Sequence, residues 1–136
     1  MKYEIRQMRI YSSLKSMMQA LYASITQRQK LSLTHQEFVE YHREKHAPLF
    51  CSLPEVQQHV RRYVQCHTIQ ASLSGLPSIT FDGVTELWFD DVAGLEAVFG
   101  SESYLQTIRP DEEKFLDLHG CEFVLSTESV VIDGEC

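Results

Sequence analysis

The sequence is short of positive charge. Twelve lysines and arginines stand against 19 aspartates and glutamates, a formal net charge of −7, and no basic cluster exceeds Arg61-Arg62. Phosphate backbones are bound by a surplus of cations, so no nucleic-acid partner is expected. Long apolar runs are missing too. Nothing approaches the roughly 18 consecutive apolar residues that mark a membrane span, so no membrane partner is expected either. The start, Met1 to Arg6, shows no basic region followed by an apolar core; a secretory signal is not expected, and the cytoplasm is the default compartment. Cysteine is sparse and scattered at positions 51, 66, 121 and 136, with no CxxC pair, which suggests free thiols rather than a disulfide framework. No glycine-rich loop precedes a helix in the way phosphate or dinucleotide sites require, and no GxSxG elbow is present. His42 and His46 share a helix face at a spacing of four, but the run His42-Arg43-Glu44-Lys45-His46 is not HExxH and no third ligand is evident. The expectation is a protein without cofactor or metal.

What is present is an ordinary globular balance, 43% hydrophobic and 23% charged over 136 residues, enough for one domain around a single core. Residues 1–16 fit neither a clean helix nor a clean strand and are set apart as an N-terminal extension, leaving residues 17–133 as the domain. Met17 to Gln27 reads as a strand from its β-branched and aromatic members. Thr34-His35-Gln36-Glu37 is a capping box with a Leu33/Phe38 staple around it, so a helix starts at about His35. Phe38, Tyr41, His42 and Lys45 lie along one stripe, extended by His46 and Leu49. Pro48 calls for a kink or an end there. A second strand follows over residues 58–69 and a third over Phe81 to Asp90. Asp90 or Asp91 caps a second helix carrying Leu95, Val98 and Phe99. Pro110 opens a further helical piece, Asp111 to Leu118, stopped by Gly120. Cys121 to Ile132 reads as the last strand.

The order β-α-β-β-α-β is the ferredoxin-like arrangement, an α+β fold with helices on one face of an antiparallel sheet. The other face needs cover, and a second copy of the chain is the usual solution, giving a dimeric α+β barrel and a homodimer. Val64, Cys66, Thr85, Leu87 and Phe89 are read as one face, and Tyr63, His67, Glu86 and Trp88 as the other.

Four stretches, His46-Ala47-Pro48-Leu49, Arg62 to His67, Phe81 to Asp90 and Pro110 to Asp117, together resemble the EthD-domain family of dimeric α+β barrels. Phe81 stands where many members carry Tyr, so a role that needs a phenol at that place does not carry over. The resemblance implies the fold, and a cofactor-independent tailoring enzyme that dehydrates, decarboxylates or isomerises an aromatic or polyketide-like intermediate by proton transfer, a lyase or isomerase of secondary metabolism. The alternative is a non-catalytic carrier of a hydrophobic metabolite.

The residues that suit such chemistry are few. His46, read as the C-terminal end of the first helix where the dipole favours imidazolium, is the first acid/base candidate. His67 is the second, and Tyr63 on the same strand face is a hydrogen-bond donor to a substrate oxygen. The resemblance adds weight to all three as catalytic residues. Gln65 shares that face and orients; Glu86, between Val84 and Trp88, is a carboxylate whose burial would raise its pKa. Trp88 offers a flat stacking surface, and Tyr41, Phe50, Tyr104 and Phe115 are aromatic wall candidates. Asp82 and Asp111 read as structural, an acid in a helix's first turn needing no further explanation.

Overall fold

A computed structural model describes residues 20–69, 71 and 73–134; the N-terminal extension and the Met17 end of the first strand lie outside the described residues. Strand β1 (Leu21–Gln27) leads to α1 (His35–Tyr41), a π turn (His42–His46) and α2 (Ala47–Cys51) in one continuous helical rod. Then come α3 (Pro54–His59), β2 (Val60–His67), β3 (Gly83–Phe89) and α4 (Val92–Phe99). A second π turn (Tyr104–Ile108) runs into α5 (Arg109–Phe115), followed by a 3₁₀ turn and β4 (Glu122–Ser126). The strands pair antiparallel in the order β2-β3-β1-β4, the ferredoxin-like order, with helices against one face.

The helix starts follow from local chemistry. Thr34 accepts from the Glu37 amide while the Glu37 side chain accepts from the Thr34 amide, satisfying two donors that no preceding turn can reach. Asp91 caps α4 by accepting from the Gly94 amide. Pro48 does not end the first rod, which runs on to Cys51. Ahead of it the Ala47 amide reaches back five residues to the His42 carbonyl, and that wider turn accommodates a ring that carries no amide proton. His46 therefore sits inside the rod, not at its C-terminal end. Pro110 likewise opens nothing: it follows the second π turn within a helical run that begins at Glu102 and ends at Phe115. Helix α3 had no counterpart in the sequence reading. β4 stops at Ser126, well short of Ile132.

Register corrects the reading of the sheet faces. Tyr63 pairs with Leu87, Gln65 with Thr85 and His67 with Gly83, while Val64 pairs with Glu86 and Cys66 with Val84. Paired residues share a face, so Tyr63, Gln65 and His67 lie with Thr85, Leu87 and Phe89 on the helix side. Val64, Cys66, Glu86 and Trp88 lie on the outer side. The main core fills the helix side: Ala23, Leu87 and Phe89 from the strands meet Phe50, Val98 and Ile108 from the helices. A smaller cluster of Phe38, Phe115 and Leu116 closes one end. On the outer side Trp88 is buried by Tyr22 (centroids 4.9 Å apart), by the Arg62 guanidinium 4.5 Å above its ring, and by Glu128, to which its indole N–H donates.

Candidate functional site

Between the sheet and the two helical rods lies a cavity of about 420 Å³, within the range that holds a small ligand. Its walls are mostly apolar, with Ile25, Phe50, Leu87, Phe99, Ile108 and Phe123 prominent. A few polar side chains reach it: Gln27, His46, Tyr63, Thr85, Tyr104, Arg109 and Glu112 among them.

The π turns aim several of these groups. Phe38, His42, His46 and Phe50 are all buried, a strict spacing of four. A regular helix of 3.6 residues per turn drifts off such a stripe; one wide turn resets it, keeping both histidines toward the interior. His46 packs on Phe115 with centroids 4.8 Å apart and on His42 at 5.7 Å.

His46 Nδ1 lies 2.8 Å from Asp111 Oδ2, both side chains deeply buried. Asp111 also accepts from the Tyr41 hydroxyl at 2.5 Å and has Lys114 at 3.9 Å. A carboxylate so placed takes the hydrogen bond of Nδ1 and leaves Nε2 as the ring's other polar edge. His46 lines the cavity and Asp111 does not. Asp111 stands in the first turn of its helix, as read from the sequence, and the contact with His46 adds a second role. Burial, then the bond to Asp111, pushes the Tyr41 hydroxyl up to about 12.

Tyr63 also lines the cavity. Its oxygen accepts from Gln65 Nε2 at 2.8 Å, and the same nitrogen donates to the His42 carbonyl at 2.9 Å. Burial raises the Tyr63 phenol pKa, so it keeps its proton, and with Gln65 behind the oxygen that proton is free for a ligand. Across the cavity, Tyr104 donates to Glu112 Oε1 at 2.6 Å and Arg109 Nε lies 3.2 Å from the same oxygen. Burial raises the Glu112 pKa and, more strongly, that of Tyr104.

His67 does not line the cavity; its Nε2 lies 3.0 Å from His42 Nδ1. His42 is fully buried and, chiefly through burial and then through His46 and His67 nearby, held down at about 3. It is neutral at physiological pH. The other predicted site residues divide clearly. Phe50 and Tyr104 line the cavity. Tyr41, Gln65 and Phe115 stand behind it, each touching a lining residue or its partner. Glu86 and Trp88 are on the outer sheet face, away from it. Asp82 accepts from the Gln29 amide at 2.8 Å. The sequence reading missed Gln27, His42 as a hydrogen-bonding centre, Arg109 and Glu112. Cys51, Cys66 and Cys121 are free, and among the described residues no cluster of three or more His, Cys, Asp or Glu is arranged to hold a metal. Nor, among them, is any helix long and apolar enough to cross a membrane.

The EthD-domain family profile matches residues 30–119, which takes in both π turns, β2, β3 and the His46–Asp111 pair. No curated protein matches the chain in sequence. Solved structures agree in fold. An EthD-family protein of Bacillus halodurans superposes with a TM-score of 0.59 at 18% identity, covering 82% of this chain and 100% of its own. A dimeric protein of unknown function and ferredoxin-like fold from Bacteroides fragilis gives 0.57 at 8% identity, covering 80% and 96%. SnoaB, a cofactor-independent oxygenase from Streptomyces nogalater, gives 0.53 at 10%, covering 85% and 99%. The chain belongs to the EthD-domain family.

Proposed function

We propose that this EthD-domain protein is a cofactor-independent tailoring enzyme that moves protons on a hydrophobic aromatic or polyketide-like ketone. The observation that carries the reading is His46 in the cavity wall with its Nδ1 held 2.8 Å from Asp111. A ketone lying in the cavity places its oxygen at the Tyr63 hydroxyl. His46 Nε2 then takes a proton from the adjacent carbon, the electron pair moves onto the oxygen, and Tyr63 stabilises the enolate by its hydrogen bond. Return of the proton to another carbon gives isomerisation; delivery to a departing hydroxyl gives dehydration. Decarboxylation of a β-keto acid uses the same enolate site: His46 Nε2 takes the carboxylic proton, the carbon–carbon bond breaks as carbon dioxide leaves and its electron pair forms the enolate, and His46 returns that proton to the carbon. Apolar walls exclude water, which strengthens each of these interactions. His67 acts at one remove, through His42. SnoaB, whose fold this chain shares, is a cofactor-independent oxygenase, which supports reading this site as cofactor-free.

The working unit in this reading is a homodimer, in which a second copy covers the outer sheet face carrying Val64, Val84 and Val124. The dimeric Bacteroides fragilis neighbour supports it.

The test is exchange of the ring-flanked α-protons of 2-tetralone into deuterated water, followed by proton NMR. Wild-type protein is expected to accelerate exchange over buffer, and His46→Gln to lose about 100- to 10,000-fold of that acceleration. Saturable binding of the ketone without any acceleration would leave a carrier and remove the enzyme.

A further inference from the structure

Two consecutive acids of α5 serve different places. Successive residues of a helix stand about 100° apart; Asp111 lies behind the His46 ring, 2.8 Å from its Nδ1, while Glu112 lines the cavity. Glu112 Oε1 is engaged: it accepts from the Tyr104 hydroxyl at 2.6 Å, and Arg109 Nε lies 3.2 Å away. Its other oxygen is not. Among the described residues, the sealed side-chain atoms without a partner are Gln27 Oε1 and Glu55 Oε2. Glu112 Oε2 and His46 Nε2 make no hydrogen bond either, yet neither is sealed. Each therefore meets open space, and both side chains stand in the cavity wall.

We infer that Glu112 is a second catalytic group, the general acid of a dehydration, and that the substrate it serves is a β-hydroxy ketone. The inference rests on the proposed ketone site at His46 and Tyr63, and it selects one reaction among those that site allows. His46 Nε2 takes the proton α to the carbonyl, and the electron pair forms the enolate at Tyr63. The enolate then expels the β-hydroxyl as a carbon–carbon double bond forms. The proton on Glu112 Oε2 goes to that oxygen, so water leaves rather than hydroxide. An enone and water are the products; exchange with solvent removes the proton from His46 and returns one to Glu112. Two groups thus divide work that a single imidazole would have to carry from carbon to oxygen. The surroundings suit both ends of the step. Burial raises the Glu112 pKa in spite of Tyr104 and Arg109, which favours the neutral acid before reaction. As negative charge develops, the two donors at Oε1 are already aimed at it.

The test follows enone absorbance from 4-hydroxy-4-phenylbutan-2-one and from its acetate ester, whose leaving group departs without a proton. Wild-type protein is expected to accelerate elimination over buffer, and by more for the hydroxy ketone than for the acetate. That comparison needs no variant, so it decides the matter even if a substitution prevents folding. Glu112→Gln removes the acid at similar shape and is expected to slow the hydroxy ketone about 100-fold more than the acetate; Glu112→Asp, which keeps a carboxyl, restores part of the difference. Equal losses for the two leaving groups in Glu112→Gln would make Glu112 a structural partner of Arg109 and overturn the inference. So would a wild type that exchanges the α-protons of 2-tetralone but does not dehydrate the hydroxy ketone, a result that leaves the proposed enolising site standing. Absence of that exchange removes the proposed function, and the inference falls with it.

Discussion

His46 and Asp111 are 65 positions apart and meet at 2.8 Å; that contact turns an ordinary helix histidine into an oriented base. His46 was legible because a histidine heading the run His-Ala-Pro-Leu on a helix face stands out. Asp111 was not. An acid directly after a proline already has a sufficient local role at a helix start, and only the tertiary crossing of the two rods shows its other one. His42 illustrates the converse. Its spacing from His46 was weighed only as a metal pair and set aside, whereas burial makes it a neutral hydrogen-bonding centre. That burial has a measurable consequence. The unfolded chain protonates this histidine near 6.5, the folded chain only near 3, so between those values the unfolded state binds more protons. Stability from this group is fully present above pH 6.5 and falls as the pH drops, by about 2 kcal/mol between pH 7.5 and 5. Urea unfolding at both values should show that loss, and His42→Phe should reduce it.

At the level of elements, starts were readable and faces were not. The Thr34/Glu37 box is a short-range pattern whose bonds all lie within four residues, so it survives intact from sequence to structure. Thr34→Ala should cost about 1 kcal/mol in urea unfolding with no change in 2-tetralone exchange, since the cap lies outside the cavity wall. Each strand's alternation was also readable. Matching one strand's inner set to its neighbour's depends on register, which here includes an irregularity between Val60 and Arg62; nothing local encodes that. Hence Tyr63 and His67 were grouped with Glu86 and Trp88, from which the sheet separates them. The prolines misled for a related reason. Each disfavours a regular helical turn around it; Pro48 was read as a kink or an end, and Pro110 as the start of a separate helix. The chain meets the constraint with a wide turn instead. Those turns carry His46, Tyr104 and Ile108, so the local irregularity places three residues of the cavity wall.

For the molecule as a whole, the β-α-β-β-α-β order was recoverable because each strand and helix has its own periodicity, and the ferredoxin-like sheet follows from it. The cover over the outer face is less simple than a bare sheet. Part of it comes from the chain itself, where residues 126–132 gather around Trp88. Val124 of edge strand β4 remains 49% exposed; Val64 and Val84 share its face, with Glu86 and Ser24 lying between Val64 and Val124. Sedimentation equilibrium should return twice the chain mass at micromolar concentration, and Val84→Lys, which sets a charge in that face, should shift the equilibrium to monomer; a wild-type monomer would contradict the proposed dimer. All of the proposed chemistry depends on a bare imidazole edge turned to the cavity. The long-range ¹H–¹⁵N NMR spectrum of His46 at neutral pH reads that edge directly. The account predicts the proton on Nδ1, toward Asp111, and none on Nε2; a proton found on Nε2 would contradict it.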